Sequence, residues 1–316
     1  MQTVTLGRTG LEVSVAALGA GGKSRLGQSQ GASFDHSVRL VQAAIDAGVT
    51  LIDTALIYGT EEIVGAAIRG HRDELVVSTK VPVNGDLQAK EAATAAMFVG
   101  RVEDCLKRLG TDRIDILHVH GVLPGQYAHA RDVLLPAIHR LREQGKVRFA
   151  GITENFVGDS RHDMLRQACA EAHFDVIMVG YNFINQSAAQ TVLPLAAKNG
   201  IGTLCMFAVR GPLARLESAN ALVEKLIGTG EVDPAAVDRA DPLGFLVEQG
   251  VAATVGEAAY RFCRHTPGID VVITGTGSEH HLRQNLAAVD GPPLPPGVTE
   301  RLAEMFRGVA DETGEP

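Results

Sequence analysis

The chain of 316 residues predicts an α/β fold, a (β/α)8 TIM barrel with an N-terminal β-hairpin and a long loop between strands 7 and 8. Three observations predict it. Eight short β-rich runs alternate with eight helical stretches. Several of those stretches end on glycine, as in "DAGVT", "RLGTD", "EQGKV" and "KNGIG". No G-x-G-x-x-G enters a first helix, which counts against a doubly wound sheet. A barrel reaches this length as one domain, so residues 1–316 read as a single unit.

The hairpin comes first, Val4–Leu6 and Glu12–Val15 around the turn "GRTG". Core strands are predicted at Ala16–Leu18, Thr50–Asp53, Leu75–Thr79, Ile114–Val119, Phe149–Ile152, Val176–Val179, Gly202–Met206 and Val271–Ile273. The helices between them are Phe34–Ala47, Glu61–Ile68, Ala92–Leu109, Leu134–Gln144, Ser160–Ala172, Ser187–Lys198, Val255–Arg264 and Glu279–Val289. The last seven carry apolar residues at three- and four-residue spacing. Phe207 to Asp270 breaks the rhythm, with an extra helix near Glu217–Ile227 and the excursion "GTGEVDPAAVDRADPLG", a length typical of lids or flexible segments. The tail from "GPPLPPGVTE" carries one more helix.

Composition narrows the function. The chain is 45% hydrophobic, and its 29 basic and 37 acidic residues include no dense Lys/Arg block, which disfavours a nucleic-acid partner. No apolar run approaches the roughly 20 residues of a membrane helix, and "MQTVTLGRTG" lacks a signal-peptide core. A cytoplasmic protein with no membrane partner is expected. Cys105, Cys169, Cys205 and Cys263 are widely spaced, three in predicted helices and one in a strand, and read as reduced core residues.

In a barrel the site lies where strand C-termini open into loops. Asp53 closes the second strand, Lys80 follows the third in "LVVSTK", His120 follows the fourth in "IDILHVH", and Tyr58 sits in the loop above Asp53. Singly these are an ordinary cap, surface lysine, rim histidine and packed loop aromatic; together they make a site. A phenol of pKa near 10 exchanges protons poorly at neutral pH unless a cation stabilises its phenolate. A lysine does that, an aspartate keeps the lysine charged, and a histidine can donate to a carbonyl oxygen. The set is suited to adding or removing a proton at a carbonyl or alcohol oxygen.

"LIDTALIYG", "VVSTK", "RIDILHVHG" and the opening "LGRTGLEVS" resemble segments of the aldo-keto reductases. The resemblance continues through "KVRFAGIT", "FDVIMVGYN", "GIGTLCMFA" and "VVITGTGSEHHLRQNL". It implies Tyr58 as general acid/base, Asp53 and Lys80 tuning it, His120 orienting the carbonyl, and NADP(H) in preference to NAD(H) as cofactor. Carried over residue by residue, it places Gly21, Thr153, Asn155, Met178, Met206 and Phe207 at the cofactor, and Gly275, Thr276, Gly277, Ser278, His281 and Asn285 around its adenosine phosphate. A loop and helix start such as "GTGSEHH" supplies N–H groups and a favourable dipole for phosphate.

Several positions depart from the pattern. His281 stands where the family commonly has arginine, with Arg283 two positions out of register. "GITENF" has one residue more than the family's G-V-S-N-F, which leaves the amide role between Asn155 and Glu154. Met178 replaces a frequent glutamine, Met206 a stacking tyrosine, and Gly121 a tryptophan. The expected activity is hydride exchange between nicotinamide and an aldehyde, ketone or sugar. Two rival readings are a nicotinamide-binding regulatory or scaffold barrel and a metal-dependent hydrolase, the latter because His118 and His120 share one strand face.

Overall fold

The computed structural model describes residues 1–85, 91–248 and 250–314; Gln249, in the predicted long connection, lies outside the described residues. The hairpin pairs β1 (Thr3–Thr5) with β2 (Glu12–Ser14) antiparallel. Eight parallel strands then close a barrel: β3 (Ala16–Gly19), β4 (Leu51–Asp53), β5 (Val76–Pro82), β6 (Ile114–Val122), β7 (Val147–Glu154), β8 (Val176–Gly180), β9 (Gly202–Met206) and β10 (Val271–Thr274), the last returning to β3.

Period-two alternation sorts the side chains. Ala17, Leu51, Val76, Ile116, Val176, Leu204 and Val271, early in their strands, meet inside the barrel, and Leu6, Leu11 and Val13 of the hairpin segment pack against them. Burying each of the Val, Leu and Ile side chains there contributes about 1.5–3 kcal/mol. The lower barrel is therefore a packed apolar floor. Two residues further along the same faces lie Asp53, Ser78 and His118, and the next step on β5 is Lys80, so polar groups are stacked toward the open end.

The outer residues of the strands face the helices. Ser33, Thr94 and Thr254 each accept an N–H from three residues on, capping the helices Phe34–Asp46, Ala95–Leu109 and Val255–Arg264. All four cysteines are buried and unpaired, as expected for core residues.

Several predicted boundaries shift for local reasons. β5 and β6 run to Pro82 and Val122, so Lys80 and His120 sit within strands rather than after them. Thr94, not Ala92, starts the helix to Leu109, because its hydroxyl takes the Met97 N–H. The predicted Ser187–Lys198 helix divides into Ser187–Thr191 and Leu193–Lys198, since Pro194 lacks an N–H and its ring crowds the preceding turn. The helix predicted from Ser160 starts at Asp163, where Asp159 accepts the N–H groups of Asp163 and Met164. The Leu134–Gln144 helix is entered through a wide turn at Ala130–Leu134.

The long connection is anchored rather than open. It holds the helix Leu216–Thr229 and buries Leu222, Val223, Leu226, Val232, Leu243, Phe245 and Leu246. No helix among the described residues is long and apolar enough to cross a membrane.

Candidate active site

Asp53 and Lys80 meet because neighbouring parallel strands hold them on the same interior face. Lys80 Nζ lies 2.5 Å from Asp53 Oδ2 and donates to the Thr54 carbonyl at 2.8 Å, while Ser78 Oγ donates to the other Asp53 oxygen at 2.8 Å. Lys80 is 1% exposed, so this partner set is what permits a charge there. Burial alone would lower the Lys80 pKa, but the Asp53 carboxylate and the Tyr58 hydroxyl outweigh it and the net shift is upward. Burial likewise pushes the Asp53 carboxyl up, against Lys80 and Ser78.

Tyr58 closes the one-turn helix Leu56–Tyr58, and the left-handed Gly59 ends that turn. The Lys80 ammonium stands 4.9 Å from the centre of its ring. On another side lies Gly21, where a Cβ would stand 2.4 Å from Tyr58 Cε2; only glycine lets the ring lie against that backbone. Arg25 Nε donates to the Tyr58 carbonyl at 2.7 Å. Gly21, expected at the cofactor, thus forms a shelf for the phenol.

His120 meets Tyr58 edge to face, with ring centres 5.9 Å apart. Burial, with the Lys80 cation adding to it, lowers the His120 pKa to about 3, so the ring is neutral and offers a single N–H. The neighbouring Gly121 N–H donates to Thr153 Oγ1 at 2.8 Å, tying the ends of β6 and β7. His118 lies one step deeper, fully buried against Gly151, and burial holds it neutral as well. A metal ion held by the two histidines would face the Lys80 ammonium, and among the described residues no three His, Cys, Asp or Glu side chains gather to hold one.

Tyr58, His120, Thr153, Asn155, Met178, Met206 and Phe207 line one cavity of about 330 Å³. Glu154 also reaches it, but its carboxylate is engaged behind the wall: His162 Nδ1 lies 2.8 Å from Oε2, and the Gly180 N–H donates to Oε1 at 2.7 Å. Phe156 stacks on His162 at 5.3 Å and on Phe207 at 6.1 Å, so this buried pair backs the aromatic wall. Asn155 is exposed and accepts the Gly158 N–H through Oδ1. Sequence reasoning missed the Glu154–His162 pair and Arg210, which also lines the cavity; the extra residue in "GITENF" was the available signal for the first.

The second group lies after β10. Thr276 Oγ1 accepts the Ser278 N–H, and the helix Glu279–Val289 follows. No side chain among the described residues caps its first turn, and His281 and Asn285 share one of its faces. Such N–H groups and polar side chains are a donor set fit for phosphate. Arg283 is paired with Glu279 at 2.6 Å. The narrow space at Gly277 is used within the fold: a Cβ there would stand 2.6 Å from Gly27 Cα, and His36 Nε2 lies 3.2 Å from the Gly277 carbonyl.

The sequence profile described as "Aldo/keto reductase family" matches residues 17–306. Aldo-keto reductase YhdN of Bacillus subtilis is 31% identical over 304 residues, covering 87% of this chain and 85% of that protein. D-threo-aldose 1-dehydrogenase of a Pseudomonas species is 31% identical over 217 residues, 60% of this chain and 64% of that protein. Among solved structures, aldo-keto reductase AKR11C1 from Bacillus halodurans superimposes with a TM-score of 0.74 at 22% identity, covering 99% of both chains.

Proposed function

This chain belongs to the aldo/keto reductase family of NAD(P)-dependent oxidoreductases, and we propose that, as one barrel domain, it interconverts a small-molecule carbonyl and its alcohol with Tyr58 as general acid/base. The observation that carries this reading is the Tyr58 ring held between the Gly21 shelf, the Lys80 ammonium and the His120 edge. When bound, the cofactor supplies the hydride for reduction and accepts it in oxidation. Tyr58 gives its proton to the substrate oxygen as the alcohol forms, and Lys80 stabilises the phenolate left behind. Asp53 keeps Lys80 charged and fixed. Neutral His120 donates its N–H to the carbonyl oxygen and sets its orientation. Thr153, Asn155, Met178, Met206 and Phe207 are assigned to the nicotinamide end, and Gly275, Thr276, Gly277, Ser278, His281 and Asn285 to the phosphate end, with NADP(H) preferred over NAD(H).

Tyr58→Phe tests the assignment. Turnover is expected to fall about a hundred- to ten-thousand-fold, while cofactor affinity in a fluorescence titration stays within about twofold of the parent. Unchanged turnover overturns the role of Tyr58.

A further inference from the structure

The cavity beside Tyr58 and His120 is lined by polar and apolar groups in about equal measure. Both charged side chains that reach the lining are engaged. The Glu154 carboxylate is held by His162 and the Gly180 N–H. The Arg210 guanidinium lies over the Phe207 ring, with Cζ 4.0 Å from its centre and Nη1 3.5 Å from the Thr313 carbonyl. Thr153 and Asn155 are assigned above to the nicotinamide end. The uncharged polar group that remains beside the carbonyl site is the carboxamide of Asn84.

Its direction is set by a chain of hydrogen bonds that starts on the backbone. A carboxamide turned end for end occupies the same volume, so its partners decide which end is which. The Leu123 N–H donates to Gln126 Oε1 at 3.0 Å, which leaves Gln126 Nε2 to donate to Asn84 Oδ1 at 2.8 Å. A reversed Asn84 would set N–H against N–H. Asn84 therefore keeps its NH2 as the open end, and among the described residues no acceptor meets it. The backbone beneath is pinned as well. Arg101 Nη1 donates to the Asn84 carbonyl at 2.8 Å, and the Ala93 N–H donates to the Val83 carbonyl at 2.9 Å.

Parallel pairing sets Pro82 opposite His120, and Asn84 follows Pro82 by two residues, just beyond the histidine proposed to orient the carbonyl. The space there is open, since a Cβ at Gly121 would meet nothing within 4 Å. We propose that Asn84 is a specificity residue whose Nδ2 donates to an uncharged oxygen, hydroxyl or ether, on the first or second carbon beside the substrate carbonyl. The pocket then selects oxygenated aldehydes and ketones over their deoxy counterparts. This rests on the carbonyl-reduction reading above. A site that hydrogen-bonds such an oxygen discriminates against the analogue lacking it, whose binding leaves a desolvated donor unpaired.

The test is steady-state reduction by the full chain, at saturating cofactor, of ketone pairs of near-equal shape. Hydroxyacetone is set against butanone and 4-hydroxybutan-2-one against pentan-2-one, and the methyl ethers of the two against pentan-2-one and hexan-2-one. An oxygen near a carbonyl raises its intrinsic reactivity whatever the protein, so the reading is the change in the kcat/KM ratio of a pair between parent and variant. In at least one hydroxy pair Asn84→Leu is expected to lower that ratio about fivefold, the scale of one neutral hydrogen bond. Asn84→Asp keeps an acceptor for Gln126 but removes the donor. It is expected to lower the corresponding ether ratio by a similar factor and to spare the hydroxyl, which can donate to the carboxylate. Ratios unchanged in a folded Asn84→Leu protein overturn the inference. So does a loss shared equally by oxygenated and deoxy ketones, which marks a structural role, or a loss confined to cofactor affinity, which assigns Asn84 to the nicotinamide. Failure to reduce any carbonyl would instead defeat the carbonyl-reduction reading. NMR titration of the cofactor-loaded protein with the same pairs then reads Asn84 directly; tighter binding of an oxygenated ketone that is lost in Asn84→Leu supports the inference, and equal binding within every pair removes it.

Discussion

Gly21 and Tyr58 are in direct contact, the ring lying where any side chain at position 21 would have to go. Gly21→Ala is therefore expected to displace the phenol. Turnover should fall at least about tenfold, the scale at which small misplacements of a reacting group are felt, with cofactor affinity less affected. A variant that loses cofactor affinity at unchanged turnover would return Gly21 to a purely cofactor-binding role.

The Asp53–Lys80 pair makes a pH-dependent contribution to stability. The pKa of Lys80 is raised above its ordinary value of 10.5, with burial opposing and Asp53 the larger of the upward influences. The stabilisation is therefore fully present below the unfolded value and disappears as pH rises through the folded one. Asp53→Asn removes that influence, so alkaline unfolding should begin at lower pH in a melting series from about pH 8 to 12. Lys80→Met strands the buried Asp53 carboxyl and is expected to cost about 3–5 kcal/mol, whereas the double change Asp53→Asn with Lys80→Met costs less than the sum. Additive losses would mean the two groups are not coupled.

His281 sits exposed in the first turn of the helix that begins at Glu279. His281→Arg puts a permanent fork beside the proposed adenosine phosphate, and one charge-assisted bond is worth roughly 1.5–3 kcal/mol. The NADPH-to-NADH affinity ratio should rise about tenfold or more in a fluorescence titration. An unmoved ratio would place the 2′-phosphate elsewhere.

Glu154 and His162 form a fully buried pair behind Phe156. Glu154→Leu leaves the imidazole without its partner and the Gly180 N–H unpaired, with an expected loss of about 3–5 kcal/mol in denaturant unfolding. Glu154→Gln, which keeps an acceptor for Gly180, should lose less. Equal losses would show that volume, not pairing, matters at this position.

Much of this architecture was legible in the chain. Eight β-rich runs with glycine-ended helices between them are a local pattern, and the inward direction of Asp53, Lys80 and His118 follows from strand periodicity once the apolar floor is placed. Less legible were relationships that depend on the third dimension. Gly21 and Tyr58 are far apart in sequence, and nothing local marks Gly21 as a shelf. Glu154 reads as an insertion beside a binding asparagine until His162 is seen to receive it. The split at Pro194 was visible but was outweighed by the apolar spacing on either side.

The loop after β3 has a consequence for protein engineering. It touches Tyr58 through Gly21 and Arg25, and the turn after β10 through Gly27. Transplanting residues 275–278 from a relative to change cofactor preference would bring a turn shaped for a different neighbour at Gly27. The mismatch would pass along the loop to the shelf under the phenol. Residues 20–33 and 275–278 are thus one exchangeable cassette, and a chimera carrying both should keep turnover that a chimera carrying the second alone loses.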